Sequence, residues 1–232
     1  TAISRAVAEA GSAVKVHDRQ HMQIIPSYVS EKLMELAKKS TKPEWAPEGD
    51  YIFYAGALGS HKGVDTLLNA YSILRERGFT LPLLLAGMPR PHEAINLNSP
   101  GVIQVANKPH EEIMGAWRFA RLGVIPSKWK EPLGQTAVEG LASGVPLVVA
   151  NHGGLLDVID DGKYALTFEP GNAQELAEKM QLLLTDKDLA RRLSESGPLR
   201  ASHFLLDEIK PKLLATYFEA IAINDAKRDR ND

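Results

Sequence analysis

Glu131-Pro-Leu-Gly134-Gln-Thr-Ala-Val-Glu139-Gly-Leu-Ala-Ser-Gly144-Val-Pro146-Leu-Val-Val-Ala150 is the stretch that decides the fold. It reads as loop, helix, turn and buried β-branched strand, the end of a strand–helix–strand unit. A helix starting near Leu133 leaves the N–H groups of Leu133, Gly134, Gln135 and Thr136 without intrahelical partners, open to an anion. Glu139, nearly two turns in, can accept from a pair of hydroxyls, while Glu131 sits in the loop before the helix. The plain alternative is a solvated loop acid and a surface helix acid. The apolar neighbours Ala137, Val138, Leu141 and Ala142 count against that alternative for Glu139.

Working outward, the same alternation repeats from Tyr51 onward. Strands are expected at Tyr51–Gly56, Leu81–Gly87, Val102–Val105, Leu122–Pro126 and Val145–Ala150. Helices are expected at Val64–Arg77, Glu111–Arg121 and within Leu133–Ser143. Short continuous apolar strands between helices imply a parallel sheet covered on both faces, an α/β Rossmann-like class. Ligands of such sheets bind outside the carboxyl ends of the strands. The remainder is helical: Leu176–Leu184 capped by Asn172 with Glu175, a short helix from Thr185 and Asp188 ending near Gly197, and a third over Ser202–Ile223. The first fifty residues look different. Thr1–Ala10 reads as a helix end, Met22–Ile25 as a short strand, and Glu31–Asp50 as a charged connector or loosely packed helix.

Composition narrows the function classes. A net charge of −2 over 232 residues gives no support for nucleic-acid binding, and the absence of cysteine excludes disulfides and thiolate metal sites. No apolar run approaches the roughly 20 residues that span a bilayer. The histidines are scattered with no metal-ligand spacing, so no metal is expected. No G-x-S-x-G elbow is present. A second constellation, Gly56-Ala-Leu-Gly59-Ser-His-Lys62-Gly63, follows the first strand. Glycines exposing N–H groups beside a lysine suit a phosphate, though neither a dinucleotide fingerprint nor a Walker A loop is present; an ordinary turn with a solvated lysine is the alternative. Lys108, Lys128 and Lys130 read as solvated, and the tryptophans as packing residues, with Trp129 the one placed to line a pocket.

Six segments in one order resemble a known family. Ile25-Pro-Ser-Tyr-Val29, Gly56–Gly63, Leu84–Gly87, Pro126-Ser127 with Glu131 and Glu139, Gly144-Val-Pro146 and Gly153–Asp157 are similar to the C-terminal half of group 1 (family 4) retaining glycosyltransferases. The resemblance implies one half of a GT-B fold. It also implies a nucleotide-diphospho-sugar donor, no cofactor or metal, and retaining transfer to an acceptor. It assigns Lys62 to the donor phosphates, with the N–H groups around Gly134, counts Gly56 among the donor-binding residues, and makes Lys62 and Glu131 the catalytic pair. Glu139 would hold the ribose and Glu131 the donor sugar near the reacting carbon; Ala106–Pro109, with Asn107 and Lys108, would flank the base.

The family's phosphate-binding arginine falls on Ala57, with Arg90 the candidate substitute. Leu133 replaces a common Phe, and Asp157 a Glu read as structural. Residues 1–27 are expected to be the tail of a missing N-terminal domain plus link, 28–50 a connector, 51–223 the donor domain and 224–232 a frayed tail. The partners implied are the donor and that missing domain, in the cytoplasm, with peripheral attachment to the membrane face through the other domain left open. A degenerate, non-catalytic binding module is the alternative reading, and a relative working by epimerisation or phosphorolysis a third.

Overall fold

The structure, a computed structural model, describes residues 1–13, 22–89 and 95–228. Its centre is a six-stranded, wholly parallel sheet. The strands are β1 (Ile52–Ala55), β2 (Leu83–Ala86), β3 (Val102–Val105), β4 (Leu122–Ile125), β5 (Leu147–Ala150) and β6 (Leu166–Phe168). Their spatial order is β3-β2-β1-β4-β5-β6, with Ile52 paired to both Leu83 and Leu122. Every residue of β1, β2, β4 and β5 is buried, the consequence of helices on both faces.

Helix α3 (Val64–Glu76) and α7 (Ala173–Thr185) pack together over one face. On the other, α5 (Gln135–Ala142) packs against α8 (Lys187–Ser202) and α4 (His110–Arg118), and α2 (Lys32–Lys39) packs on α4 and α5. Trp117 of α4 is fully buried and meets Phe53 edge-on with centroids 4.7 Å apart. The Tyr51 hydroxyl donates to the Ala116 carbonyl at 2.7 Å, so the phenol buries without an unpaired proton. As the sequence suggested, α7 is capped by Asn172, which accepts from the Glu175 N–H at 3.1 Å, while its side-chain amide donates to the Glu175 carboxylate at 3.4 Å.

Several expectations are corrected. The N-terminal helix α1 spans Arg5–Ala13 rather than Thr1–Ala10, and Ile24 makes a single bridge, to Ala2, instead of a strand. Of the two expectations for the stretch after Glu31, a connector or a loosely packed helix, part of it is helix, and it is well packed: α2 buries Leu33 and Ala37 in the main core, and Ala46 follows them. The cap of α8 is Asp186, accepting from the Leu189 N–H at 2.9 Å, not Thr185. That helix does not stop at Gly197. A Cβ there would lie 2.8 Å from the Leu141 carbonyl, so the glycine is a contact point between α8 and α5 rather than a stop signal. The last helix, α9 (Leu206–Arg228), continues past Ile223 through residues expected to fray. No helix among the described residues is long and apolar enough to cross a membrane.

Candidate functional site

Strand order reverses between β1 and β4: the chain leaves β1 toward β2 at one edge and leaves β4 toward β5 at the other. The loops after these two strands therefore diverge and leave a crevice at their carboxyl ends. After β1 comes the 3₁₀ turn Ser60–Lys62; after β4 come Pro126, Ser127 and the run into α5. The two loops are tied together. The His61 carbonyl accepts from the N–H groups of Lys128 (3.0 Å) and Trp129 (2.9 Å). The Lys128 ammonium, expected to be solvated, bonds Asp65 at 2.6 Å and Ser60 at 3.1 Å. Burial alone would raise the Asp65 carboxyl, but Lys128, the Thr66 N–H and Ser60 outweigh it and hold it below its usual 3.8.

This stitching brings Lys62 to Glu131. The ammonium lies 2.6 Å from Oε1 of Glu131, whose side chain is only 15% exposed. The buried Ser127 hydroxyl lies 2.9 Å from the same oxygen. The Ser127 carbonyl is 2.8 Å from Nε2 of His152. Among the described residues Oε2 of Glu131 has no hydrogen-bond partner. Ser127 was not a sequence candidate; Pro-Ser at the end of β4 marked the position but not the contact.

Gly134 is the N-cap of α5, with φ 94° and ψ 65°. The left-handed turn swings the chain from the Glu131 loop into the helix, and only glycine takes it without strain. Behind it Gly154 lies so close that a Cβ would meet the Pro132 carbonyl at 2.2 Å, and its N–H donates to the Glu131 carbonyl at 2.7 Å. The Gly153-Gly154 pair thus buttresses the helix start. The helix begins at Gln135, two residues later than expected. Even so, the N–H groups of Leu133, Gly134, Gln135 and Thr136 donate to no partner among the described residues. They line a cleft of about 390 Å³ with Lys62, Glu131, Ser27 and Ile3. Side chain and backbone donors therefore converge on one anion-sized space.

A second cleft of about 250 Å³ adjoins through Gln135 and is lined by Glu139, His110, Tyr28, Ser30, Lys32, Leu33 and Leu36. The His110 Nε2 lies 3.0 Å from Oε1 of Glu139. Sequence spacing gave no sign of this pair; only the packing of α4 on α5 creates it.

The Gly56–Gly63 loop differs from a phosphate cradle. Five of its N–H groups are used within the fold: Gly56 donates to Ala86, Leu58 to Met88, Gly59 to Ala57, Lys62 to Gly59 and Gly63 to Ser60. Only the Lys62 side chain reaches the cleft. At Ala57 the carbonyl accepts from the Tyr54 hydroxyl at 2.7 Å, and burial, with Glu131's charge second, raises the Tyr54 phenol so that it stays neutral. Asn107 is exposed and Lys108 stands 5.7 Å over the Trp45 ring; neither lines the two clefts. Arg90 lies outside the described residues. Trp129 is 55% exposed and lines neither cleft. No group of three or more His, Cys, Asp or Glu among the described residues is placed to hold a metal.

A larger cleft of about 520 Å³ lies under α1, lined by Arg5, Glu9, Lys130, Asn151, His152 and Asp161. Its guanidinium is occupied, bonded to Asp157 and, at 2.7 and 3.0 Å, to Asp161. Asp161 first and Asp157 second raise the Arg5 value further. Asp157 also caps α1 by accepting from the Arg5 N–H at 2.7 Å, a structural duty.

A parallel sheet in this order, with donors gathered at its switch point, defines a Rossmann-like half of a GT-B fold. The chain belongs to the glycosyl transferases group 1 family, whose model matches residues 36–200. It is 31% identical over 216 residues to mannosylfructose-phosphate synthase of Agrobacterium fabrum, covering 85% of this chain and 47% of that protein. It is 29% identical to D-inositol 3-phosphate glycosyltransferase of Nocardia farcinica, covering 76% of this chain and 42% of that one. The chain thus spans about half the length of the curated relatives it matches. Sucrose-phosphate synthase of Thermosynechococcus elongatus shares the fold with TM-score 0.75 at 24% identity, over 96% of this chain and 58% of that one. Anabaena HepE, solved with UDP-glucose, superposes with TM-score 0.75 at 18% identity, over 94% and 63%.

Proposed function

We propose that the chain is the donor-binding half of a retaining glycosyltransferase and binds a nucleoside diphosphate sugar across the two adjoining clefts. The diphosphate sits at the start of α5, against the four N–H groups of 133–136 and the Lys62 ammonium. The ribose hydroxyls meet Glu139, and the sugar lies toward Glu131. When the bond from the sugar's anomeric carbon to the β-phosphate oxygen breaks, the electron pair leaves with the diphosphate. Donors already fixed in place stabilise that charge without reorganising, which is the main source of rate for such a step. Glu131, held by Lys62 and Ser127, keeps one oxygen for a sugar hydroxyl.

The observation that carries this reading is the convergence of unpartnered N–H groups and Lys62 on one cleft at the switch point of a group 1 fold. No metal is needed in this scheme, because backbone dipoles and one ammonium supply the positive charge. The acceptor site is assigned to the half of the relatives' length that this chain does not span. Attachment to a membrane face would also belong to that half. Calorimetric titration with UDP, GDP, ADP and their glucose and mannose conjugates tests the reading. Binding of at least one nucleotide, lost in Glu139→Ala, is expected; a folded chain that binds none of them contradicts it.

The second reading, a binding module without catalysis, is favoured by Ala57. At the position where the family pattern carries an arginine this chain has Ala57, and Lys62 is shared with Glu131. Transfer assays on the full-length protein that contains this chain separate the two.

A further inference from the structure

We propose that His110 is a positioning residue for the ribose subsite, holding the Glu139 carboxylate so that its second oxygen faces the two hydroxyls. The proposal rests on the donor reading above and goes beyond it by assigning a residue that no spacing or family pattern marks. His110 opens α4, directly after Pro109, and reaches across to the second turn of α5. Its Nε2 lies 3.0 Å from Oε1 of Glu139, and both side chains line the 250 Å³ cleft that adjoins the start of α5. Glu139 is only 18% exposed and its neighbours on α5 are buried apolar residues. Such a carboxylate would turn freely without a partner; the imidazole fixes one oxygen and leaves the other with no partner among the described residues. A rigid ring on a helix start holds that geometry better than a lysine would.

The pair also confers pH dependence. The groups facing His110 are Glu139 from α5 and Lys32 from α2. The Glu139 hydrogen bond raises the imidazole above its usual 6.5, burial opposes this, Glu139's charge assists and Lys32 opposes. A raised value means that the charged pair is complete at low pH and is lost as pH rises through the folded value. Loss of the imidazolium also removes a positive charge near an anionic ligand. Affinity for a nucleoside diphosphate therefore falls as pH rises through that window.

The test is calorimetric affinity for UDP, GDP and ADP, and for their 2′,3′-dideoxy forms, in the wild type, His110→Ala and His110→Gln. Near pH 6, His110→Ala should weaken ribose nucleotides about threefold to tenfold, as for one half-exposed charge-assisted bond. It should change dideoxy ligands far less. His110→Gln keeps a donor and should recover most of the affinity without the wild type's pH dependence. Equal weakening of ribose and dideoxy ligands, or no change in either, overturns the positioning role while leaving the donor reading standing. A folded wild type that binds none of the nucleotides overturns the donor reading, and this proposal with it.

Discussion

Replacing Lys62 by Met keeps most of the aliphatic stem and removes the one ammonium that reaches the cleft among the described residues. Two effects follow from the 2.6 Å contact with Glu131. The ligand loses a charge-assisted hydrogen bond, which contributes about 1.5–3 kcal/mol. Because Glu131 already shares that ammonium, the lower end applies, giving roughly tenfold weaker nucleoside diphosphate binding. The fold loses the partner of a carboxylate that is 15% exposed and keeps only Ser127, costing about 1–3 kcal/mol. For a domain of this size each kcal/mol lowers Tm by about 2–4 °C.

Glu131→Gln has the opposite sign for the bare nucleotide. It frees Lys62, so UDP or GDP should bind equally or about threefold more tightly, by the weaker end of charge-pair effects, while recognition of the attached sugar falls. Lys62→Met/Glu131→Gln should recover part of the lost stability, since the pair is coupled. Calorimetry and thermal unfolding on the four proteins provide the readout. A Lys62→Met variant that binds the diphosphate as well as wild type, or a Glu131→Gln variant that binds it far more weakly, would refute the arrangement.

Other outcomes follow from the same geometry. Gly134→Val should lower Tm by several degrees and weaken nucleotide binding, because φ 94° costs a non-glycine residue about 1–2 kcal/mol and a Cβ would meet Leu155 Cδ2 at 2.4 Å; unaltered binding would show that the helix start is not the anion site. Asn172→Ala should cost about 1 kcal/mol in urea unfolding with no effect on nucleotide affinity. Asp65, whose carboxyl is held below 3.8, contributes stability at neutral pH that fades as pH falls through its lower folded value. Asp65→Asn should therefore be less stable than wild type near pH 7, by no more than about 1 kcal/mol, with the gap narrowing as pH falls below the usual 3.8.

Much of the fold could be read from the chain because local pattern and burial agree. The four-residue apolar runs became β1, β2, β4 and β5, and the Asn172–Glu175 spacing became a working cap. Failures occurred where tertiary contact overrides local signal. Gly197 looks like a stop, yet the close approach of α8 to Leu141 makes the glycine an interior contact. The glycine loop after β1 looks like a phosphate cradle, yet the N–H groups of its three glycines Gly56, Gly59 and Gly63 all donate to carbonyls of the fold. Glu139 could be chosen from the sequence, but His110 could not, since 29 residues separate them and only helix packing joins them. Ser127 and Arg5 are similar cases: each acts through a partner that no local spacing announces.

Amide shifts in a uniformly ¹⁵N-labelled sample titrated with the tightest-binding nucleoside diphosphate report directly on the anion site. The largest changes should fall on the N–H groups of Leu133, Gly134, Gln135 and Thr136, with smaller ones at His110 and Glu139. Saturable binding that leaves those four amides unmoved, or that shifts the backbone of Gly56–Gly63 or the cleft under α1 instead, would contradict a diphosphate held at the start of α5.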